Sequence, residues 1–262
     1  MPAPKIVALD MDGTLLDSTG SIPDAFWDLL PRAREAGMAI TPASGRQLAT
    51  LRAMFSRDEP DTFIAENGAV VWHRGEIVSV RPLPVDSVRR VVDALEQAVL
   101  CKPEVSYTRA GMPPEFQAEV DKYYLANQQV SSLADALAGD PDDTVKIAVY
   151  AAGDAERDVL PDLQRLVPEL NPVVSSKHWI DIMPPEVNKG VALRTLAEKL
   201  GVRREDTAAI GDYLNDYAML EAAGWAVAMG NAHEDLKRIA DDVVETNDEN
   251  GALRRIGRWL EQ

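Results

Sequence analysis

The chain has a single cysteine, Cys101, in 262 residues. One thiol excludes an intrachain disulfide and a cysteine-based zinc site, and it suits a reducing compartment, with Cys101 as a structural thiol. Basic residues are in deficit: 27 Lys and Arg stand against 43 Asp and Glu, a formal charge of −16. A field of that sign repels nucleic acid and anionic membranes at long range, so neither is expected as a partner. A small anion can bind only where a metal, a lysine and backbone amides reverse the field locally. No run approaches the roughly 18 apolar residues of a membrane span, and Met1-Pro-Ala-Pro leads into an apolar segment without the regions of a signal peptide. The expectation is a cytoplasmic protein with no membrane contact and no obligate protein partner. Repeats and low-complexity segments are absent from the sequence as well.

What is present is organised around Lys5-Ile-Val-Ala-Leu-Asp-Met-Asp-Gly-Thr-Leu-Leu-Asp17. A short apolar run typical of a buried parallel strand breaks off at two carboxylates, Asp10 and Asp12. Residues two apart in extended backbone point the same way, so the pair shares one side of the strand terminus. Two carboxylates about 4 Å apart repel by ~4 kcal/mol at an effective dielectric near 20, so such a pair shares a proton or a cation. A divalent metal is the obvious cation. Gly13 removes a Cβ where the backbone must turn, and Thr14 adds a hydroxyl. A calcium loop is excluded, because counting from Asp10 the positions that require Gly and Glu hold Leu15 and Ser21. A polar turn after a strand is the competing reading of Asp-x-Asp-Gly taken alone.

The rest of the chain alternates strand and helix. Ser21-Ile-Pro-Asp predicts a helix capped by Ser21 and running toward Gly37, with a kink or break at Pro31. A strand at 38–41, a loop at Pro42-Ala-Ser-Gly-Arg46, a helix from Gln47 to Phe55, a strand at 62–65 and a hairpin over 70–80 follow. This rhythm argues an α/β fold, a doubly wound parallel sheet with helices on both faces. After Arg81-Pro-Leu-Pro84 the pattern becomes α+β: a helix over 85–100, a poorly patterned stretch to Gly139, a strand at 144–150, a helix over 155–166 and paired strands at 173–176 and 179–183. Met183-Pro-Pro-Glu186 closes it, so residues 84–184 are expected to be an inserted domain within a core of 1–83 and 185–262. The core rhythm then resumes with a helix over 189–200, a strand at 207–210, a helix over 215–223, a strand at 225–228, a helix over 233–240, a short strand at 242–245 and a helix over 251–260.

Four polar clusters each follow a strand or open a helix: Asp10 and Asp12; Ser44-Gly45-Arg46; Asn188-Lys189-Gly190; and Gly211-Asp212-Tyr-Leu-Asn215-Asp216. Ligands of open α/β sheets bind at the carboxyl ends of the strands, where helix N-termini offer free amides to a phosphate. Ser44 can donate its hydroxyl to an anion, Gly45 lets the backbone approach, Lys189 brings positive charge and Asp212 completes an oxygen set suited to Mg²⁺. Singly, each has a mundane counterpart in capping or solvation; jointly they form a constellation.

The sequence resembles the haloacid dehalogenase superfamily, and within it the Cof-type phosphatases with a type IIB cap. Asp10-Met-Asp-Gly-Thr14, Ser44-Gly-Arg46, Asn188-Lys-Gly190 and Gly211-Asp-x-x-Asn-Asp216 carry the resemblance in the family's order, and Met229-Gly-Asn-Ala232 and Thr246-Asn-Asp-Glu-Asn-Gly251 extend it. The resemblance implies a Mg²⁺-dependent phosphatase acting on small phosphomonoesters, sugar phosphates or phosphorylated cofactors, through an aspartyl-phosphate. Asp10 would be the nucleophile and Asp12 the general acid and base. Asp10, the Asp12 carbonyl and Asp212 would hold the metal; Ser44, Gly45, Lys189 and Asn215 would contact phosphate; Asp216 would lie behind them, positioning Lys189 or metal-bound water. The physics agrees, since a cation and a lysine neutralise the charge of a phosphoryl transition state, and covalent transfer divides one hard displacement into two easier ones. A phosphomutase or dedicated sugar-conjugate phosphatase with the same cap is the alternative. A signalling receiver is disfavoured, since it lacks the acid two residues after the nucleophile. His73, His178 and His233 lie outside the motifs and are read as surface or packing residues; Tyr107, Arg109, Tyr123 and Tyr124 are cap residues that could touch substrate, with cap packing the favoured reading of the tyrosines.

Overall fold

The computed structural model describes residues 3–137 and 143–262. They divide into two compact units: the chain up to Gly45 with Leu51–Ser79 and Asn188–Gln262, and Arg46–Thr50 with Val80–Val187. The first unit is built on β1 (Ile6–Asp10), β2 (Ala39–Ala43), β3 (Thr62–Ala65), β4 (Val70–His73), β5 (Glu76–Val80), β12 (Thr207–Gly211), β13 (Trp225–Ala228) and β14 (Asp242–Val243). Their spatial order is β14-β13-β12-β1-β2-β3-β4-β5. The pairings from β14 to β3 are parallel, and β4 turns back antiparallel on β3. The chain thus moves outward from β1 in one direction through β2 and β3, and later in the other through β12, β13 and β14. The reversal falls between β1 and β12, which is where a doubly wound sheet opens a crevice beyond the carboxyl ends of its strands. In register, Leu9 lies beside Ile210 and Asp10 beside Ala43, so Asp10 and the Gly211-Asp212 step leave the sheet at the same edge.

The buried strands are continuous apolar runs because helices cover both faces. Helix α1 (Asp24–Glu35) buries Phe26, Leu29, Leu30 and Ala33, and α11 (Gly251–Leu260) buries Leu253, Ile256 and Trp259 at the spacing of one helical face. The helix expected from Gln47 to Phe55 is the shorter α2 (Leu48–Ala53). Two expectations about α1 fail. Ser21 does not cap it: Asp17 Oδ1 accepts the amides of Thr19 and Ser21 at 2.9 and 3.0 Å, closing a turn of its own, and the helix starts after Pro23. Pro31 does not break it either. The proline is on the exposed side, while the buried residues hold the helix from the other side.

Helix α8 (Lys189–Leu200) shows what the Asn188-Lys-Gly motif does locally. Asn188 is the N-cap, accepting the Val191 amide at 2.9 Å. Gly190 lets α9 (Tyr217–Ala222) approach so closely that a Cβ there would lie 2.0 Å from the Ala218 carbonyl oxygen. No rotamer change relieves a clash with backbone, so Gly190→Ala should lower stability by ~1–3 kcal/mol. A thermal melt reading the same Tm as the wild type would mean that the two helices can separate at no cost.

The second unit is a six-stranded sheet in the order β10-β11-β9-β6-β7-β8, from β6 (Ala98–Cys101), β7 (Ser106–Arg109), β8 (Asn127–Val130), β9 (Lys146–Tyr150), β10 (Asn171–Ser176) and β11 (Trp179–Met183). Among the described residues only β7 and β8 pair in parallel in this sheet. Alternate residues Ile147, Val149, Ile180 and Ile182 face one apolar core with Val88 and Val91 of α3 (Val85–Ala94) and Leu163 of α7 (Leu160–Leu166). The helix expected over 85–100 ends at Ala94, and its apolar tail Ala98-Val-Leu-Cys101 is a strand; periodicity cannot separate the two for a four-residue buried run. The helix expected over 155–166 is two, α6 (Ala155–Asp158) and α7, because Pro161 has no amide for the preceding turn. The poorly patterned stretch holds β7, α4 (Pro114–Tyr123), β8 and α5 (Leu133–Leu137); its end, at residues 138 and 139, lies outside the described residues. Among the described residues no helix is long and apolar enough to cross a membrane.

Candidate active site

The site begins where β1 runs out. Asp12 (φ −77°, ψ 123°) and Gly13 (φ 75°, ψ 1°) adopt the angles of a type II turn, and the Leu16 amide closes the loop on the Met11 carbonyl at 2.8 Å. Gly13 is required twice over. Its φ is left-handed, and a Cβ would lie 2.3 Å from Asp212 Oδ2. The turn leaves Asp10 buried and Asp12 exposed. The Thr14 hydroxyl donates to Asp212 Oδ1 at 3.2 Å, tying the turn to the exit of β12.

Lys189, fully enclosed at the start of α8, donates to Asp10 Oδ1 at 2.5 Å and to Asp216 Oδ1 at 2.6 Å. Asp216 is itself fully buried, and its other oxygen accepts the amides of Asp212 and Tyr213 at 3.1 and 3.3 Å. Asp216 therefore has both oxygens engaged in holding Lys189 and the loop that carries Asp212. Carboxylate oxygens of Asp10, Asp212 and Asp216 lie within 4.8 Å of one another. Three acids around one lysine leave uncompensated negative charge, and the ionisation equilibria register it. Burial first, then the charge of Asp216, pushes the Asp10 carboxyl up to about 8. The same two causes push Asp212 up to about 6. Burial pulls Lys189 down, but the attraction of Asp10 and Asp216 outweighs it, and its pKa rises above the ordinary lysine value. Lys189 thus stays a cation, and the excess falls on Asp10 and Asp212. An oxygen-donor set with surplus negative charge fits a hard divalent cation.

Above this cluster lies a cleft of about 400 Å³, lined by Asp10, Asp12, Gly13, Ser44, Gly45, Lys189, Asp212, Tyr213 and Asn215. A sequence model described as haloacid dehalogenase-like hydrolase matches residues 7–256, nearly the whole chain. The chain belongs to that family. Among curated relatives, 5-amino-6-(5-phospho-D-ribitylamino)uracil phosphatase YcsE of Bacillus subtilis is 29% identical over 258 residues, covering 98% of this chain and 96% of its own. Phosphatase YwpJ of the same organism is 30% identical over 284 residues, covering 98% and 100%. Among solved structures, the haloacid dehalogenase subclass IIB sugar phosphatase BT4131 superposes with a TM-score of 0.77 at 23% identity over 97% of this chain and 98% of its own, a likeness of fold.

In this haloacid dehalogenase-like hydrolase the seven residues read from the sequence as nucleophile, acid, metal and phosphate contacts, namely Asp10, Asp12, Ser44, Gly45, Lys189, Asp212 and Asn215, all line one cleft, and Asp216 lies beneath it. No histidine lines the cleft: His73 meets Thr62, His178 the Ala151 carbonyl, and His233 caps α10 (Glu234–Ile239), its ring packed edge-on against Tyr213 with centroids 5.9 Å apart. Two features of the cleft go beyond the sequence reading. Tyr213 lines it from an unassigned position within Gly-Asp-x-x-Asn-Asp, and Thr14 is bonded to Asp212. A large aromatic ring between two polar motif residues is the available signal for the first.

Proposed function

We propose that this hydrolase is a Mg²⁺-dependent phosphatase of small phosphomonoesters, sugar phosphates or phosphorylated cofactors, working through an aspartyl-phosphate on Asp10. The observation that carries the reading is the buried Lys189 joining Asp10 to Asp216 at the floor of a cleft walled by Ser44, Gly45 and Asn215. An Asp10 oxygen attacks phosphorus, the P–O ester bond breaks, and Asp12 gives its proton to the departing alkoxide. Asp12 then takes a proton from water as the water attacks the phosphorus of the aspartyl-phosphate, which frees inorganic phosphate and regenerates Asp10. Ser44, the Gly45 amide, Lys189 and Asn215 hold the phosphate oxygens. Mg²⁺ held by Asp10, the Asp12 carbonyl and Asp212 would supply further positive charge against those oxygens. Both curated relatives above bear phosphatase names, and the substrate in one of those names, a phosphorylated ribityl chain, falls within the proposed class. The inserted unit, proposed as residues 84–184, is the part that selects among leaving groups.

Turnover of a panel of phosphorylated metabolites should vanish in EDTA and return with Mg²⁺; full activity in chelator would sink the reading. A thermal measurement reads the same site without catalysis. At about 100 times its Kd, the cation should stabilise the fold by ~2.7 kcal/mol, or ~5–10 °C for a chain of this length. Because it competes with protons on Asp10 (about 8) and Asp212 (about 6), the rise in Tm should be larger near pH 8 than near pH 5.

A further inference from the structure

Two motifs singled out in the sequence, Met229-Gly-Asn-Ala232 and Thr246-Asn-Asp-Glu-Asn-Gly251, have no part in the chemistry above. Their side chains converge on the turn that follows the nucleophile strand. Asn231 Nδ2 donates to the Gly13 carbonyl at 2.8 Å, and Asn231 Oδ1 accepts the Asn247 amide at 3.1 Å. Asn247 Nδ2 donates to the Leu16 carbonyl at 2.9 Å, and Asp248 Oδ1 accepts the Ser18 amide at 2.8 Å. Hydrogen bonds thus tie residues 13–18 to two loops that lie far away in sequence.

The loops that supply these bonds are themselves fixed. The first is anchored to the exit of β12, with the Met229 amide on the Gly211 carbonyl at 3.1 Å and the His233 amide on the Asp212 carbonyl at 2.8 Å. The second is closed by Glu249, whose Oε2 accepts the Thr246 amide and hydroxyl at 3.1 and 2.8 Å, and by the Gly251 amide on the Thr246 carbonyl at 3.0 Å. Asp12 and Gly13 form the corner of a type II turn beyond the end of β1, so a shift of that turn as a body would carry the Asp12 side chain away from its place. The Gly13 and Leu16 carbonyls are the handles by which such a turn can be held from outside.

We infer that Asn231 and Asn247 are positioning residues, a clamp that holds the turn so that the exposed Asp12 carboxyl keeps its station as proton donor. The clamp itself follows from these contacts; only its consequence for turnover rests on the phosphatase reading. Asn231→Ala and Asn247→Ala remove the donors. Asn231→Asp fills the same space and can still accept the Asn247 amide, but it sets an oxygen against the Gly13 carbonyl.

Amide hydrogen exchange over residues 11–18 should quicken about tenfold in all three variants, the effect of one net hydrogen bond, with exchange elsewhere and Tm close to wild type. Turnover of an alkyl phosphate should fall ~10- to 100-fold, as expected when a reacting group is misplaced by about 1 Å. Turnover of an aryl phosphate, which needs the proton less, should fall less than about threefold, with KM for both little changed. Exchange at the wild-type rate overturns the clamp whatever the activity. Equal loss on the two esters, or wild-type behaviour of Asn231→Asp, overturns its link to Asp12. A wild-type protein that cleaves neither ester overturns the phosphatase reading instead, and hydrogen exchange still decides the clamp.

Discussion

Asp10→Asn should leave no measurable turnover of any phosphate ester, and in metal-free buffer it should make the protein more stable, not less. The first outcome follows from the chemistry, since an amide oxygen is no nucleophile and cannot accept the phosphoryl group as a stable acyl-phosphate. The second follows from the electrostatics. The Asp10 carboxyl, with an ordinary value of 3.8, is pushed up to about 8 chiefly by burial and by Asp216. Between those two values the folded wild type keeps a proton that the unfolded chain has lost, so its stability falls as pH rises, by at most ~1.4 kcal/mol per pH unit. The side-chain amide of the variant has no proton to lose, and its oxygen can still accept from Lys189. The Tm of the variant should therefore draw ahead of the wild type as pH rises from about 4 to about 8. It should then level off, and the gap should shrink when Mg²⁺ compensates the wild-type charge. Residual turnover would remove Asp10 from its role. A variant that falls behind in Tm near pH 8 would mean that the Asp10–Lys189 ion pair outweighs the burial of the charge.

Such a cost is intelligible only because the sequence places a charged residue where packing alone would choose an apolar one. That is also why the site is legible. Ile6-Val-Ala-Leu9 and Thr207-Ala-Ala-Ile210 are apolar runs buried on both faces, and each gives way to a carboxylate, Asp10 and Asp212, whose position no core requires. The core sheet is legible for the same reason, with strands and helices in sharp alternation; helix 251–260 is placed to the residue because a wide apolar face lies between Gly251 and a charged end. The second unit is harder. Asn127-Gln-Gln-Val130 is an edge strand with two exposed glutamines, so its pattern carries no period-2 signal, and its pairing with β7 is visible only in three dimensions. Leu160-Pro161 restarts a helix that apolar periodicity alone runs through. Asn231 and Asn247 are recognisable as parts of motifs but not for what they hold, since their partners, Gly13 and Leu16, lie 218 and 231 residues away.

Asp12→Asn should separate substrates by leaving group. Asp10 ends β1 in a buried position, while Asp12 occupies the exposed corner of the turn on the cleft wall, the side from which the proposed mechanism has the ester oxygen leave and water enter. Proton delivery to a sugar alkoxide by a placed acid contributes ~10²- to 10⁴-fold, and the variant should lose that factor on sugar phosphates. A phenolate departs without a proton, so Asp10 should still be phosphorylated by an aryl phosphate at a useful rate. Breakdown of the aspartyl-phosphate should then be slow, because the base that takes a proton from water is gone. Stopped-flow detection of phenolate should record a burst approaching one equivalent per active site, followed by a slow steady state, with phosphate bound covalently to the quenched protein. An aryl burst slowed as severely as sugar-phosphate turnover, with no phosphoprotein accumulating, would show that Asp12 serves the attack itself, not the leaving group and the water.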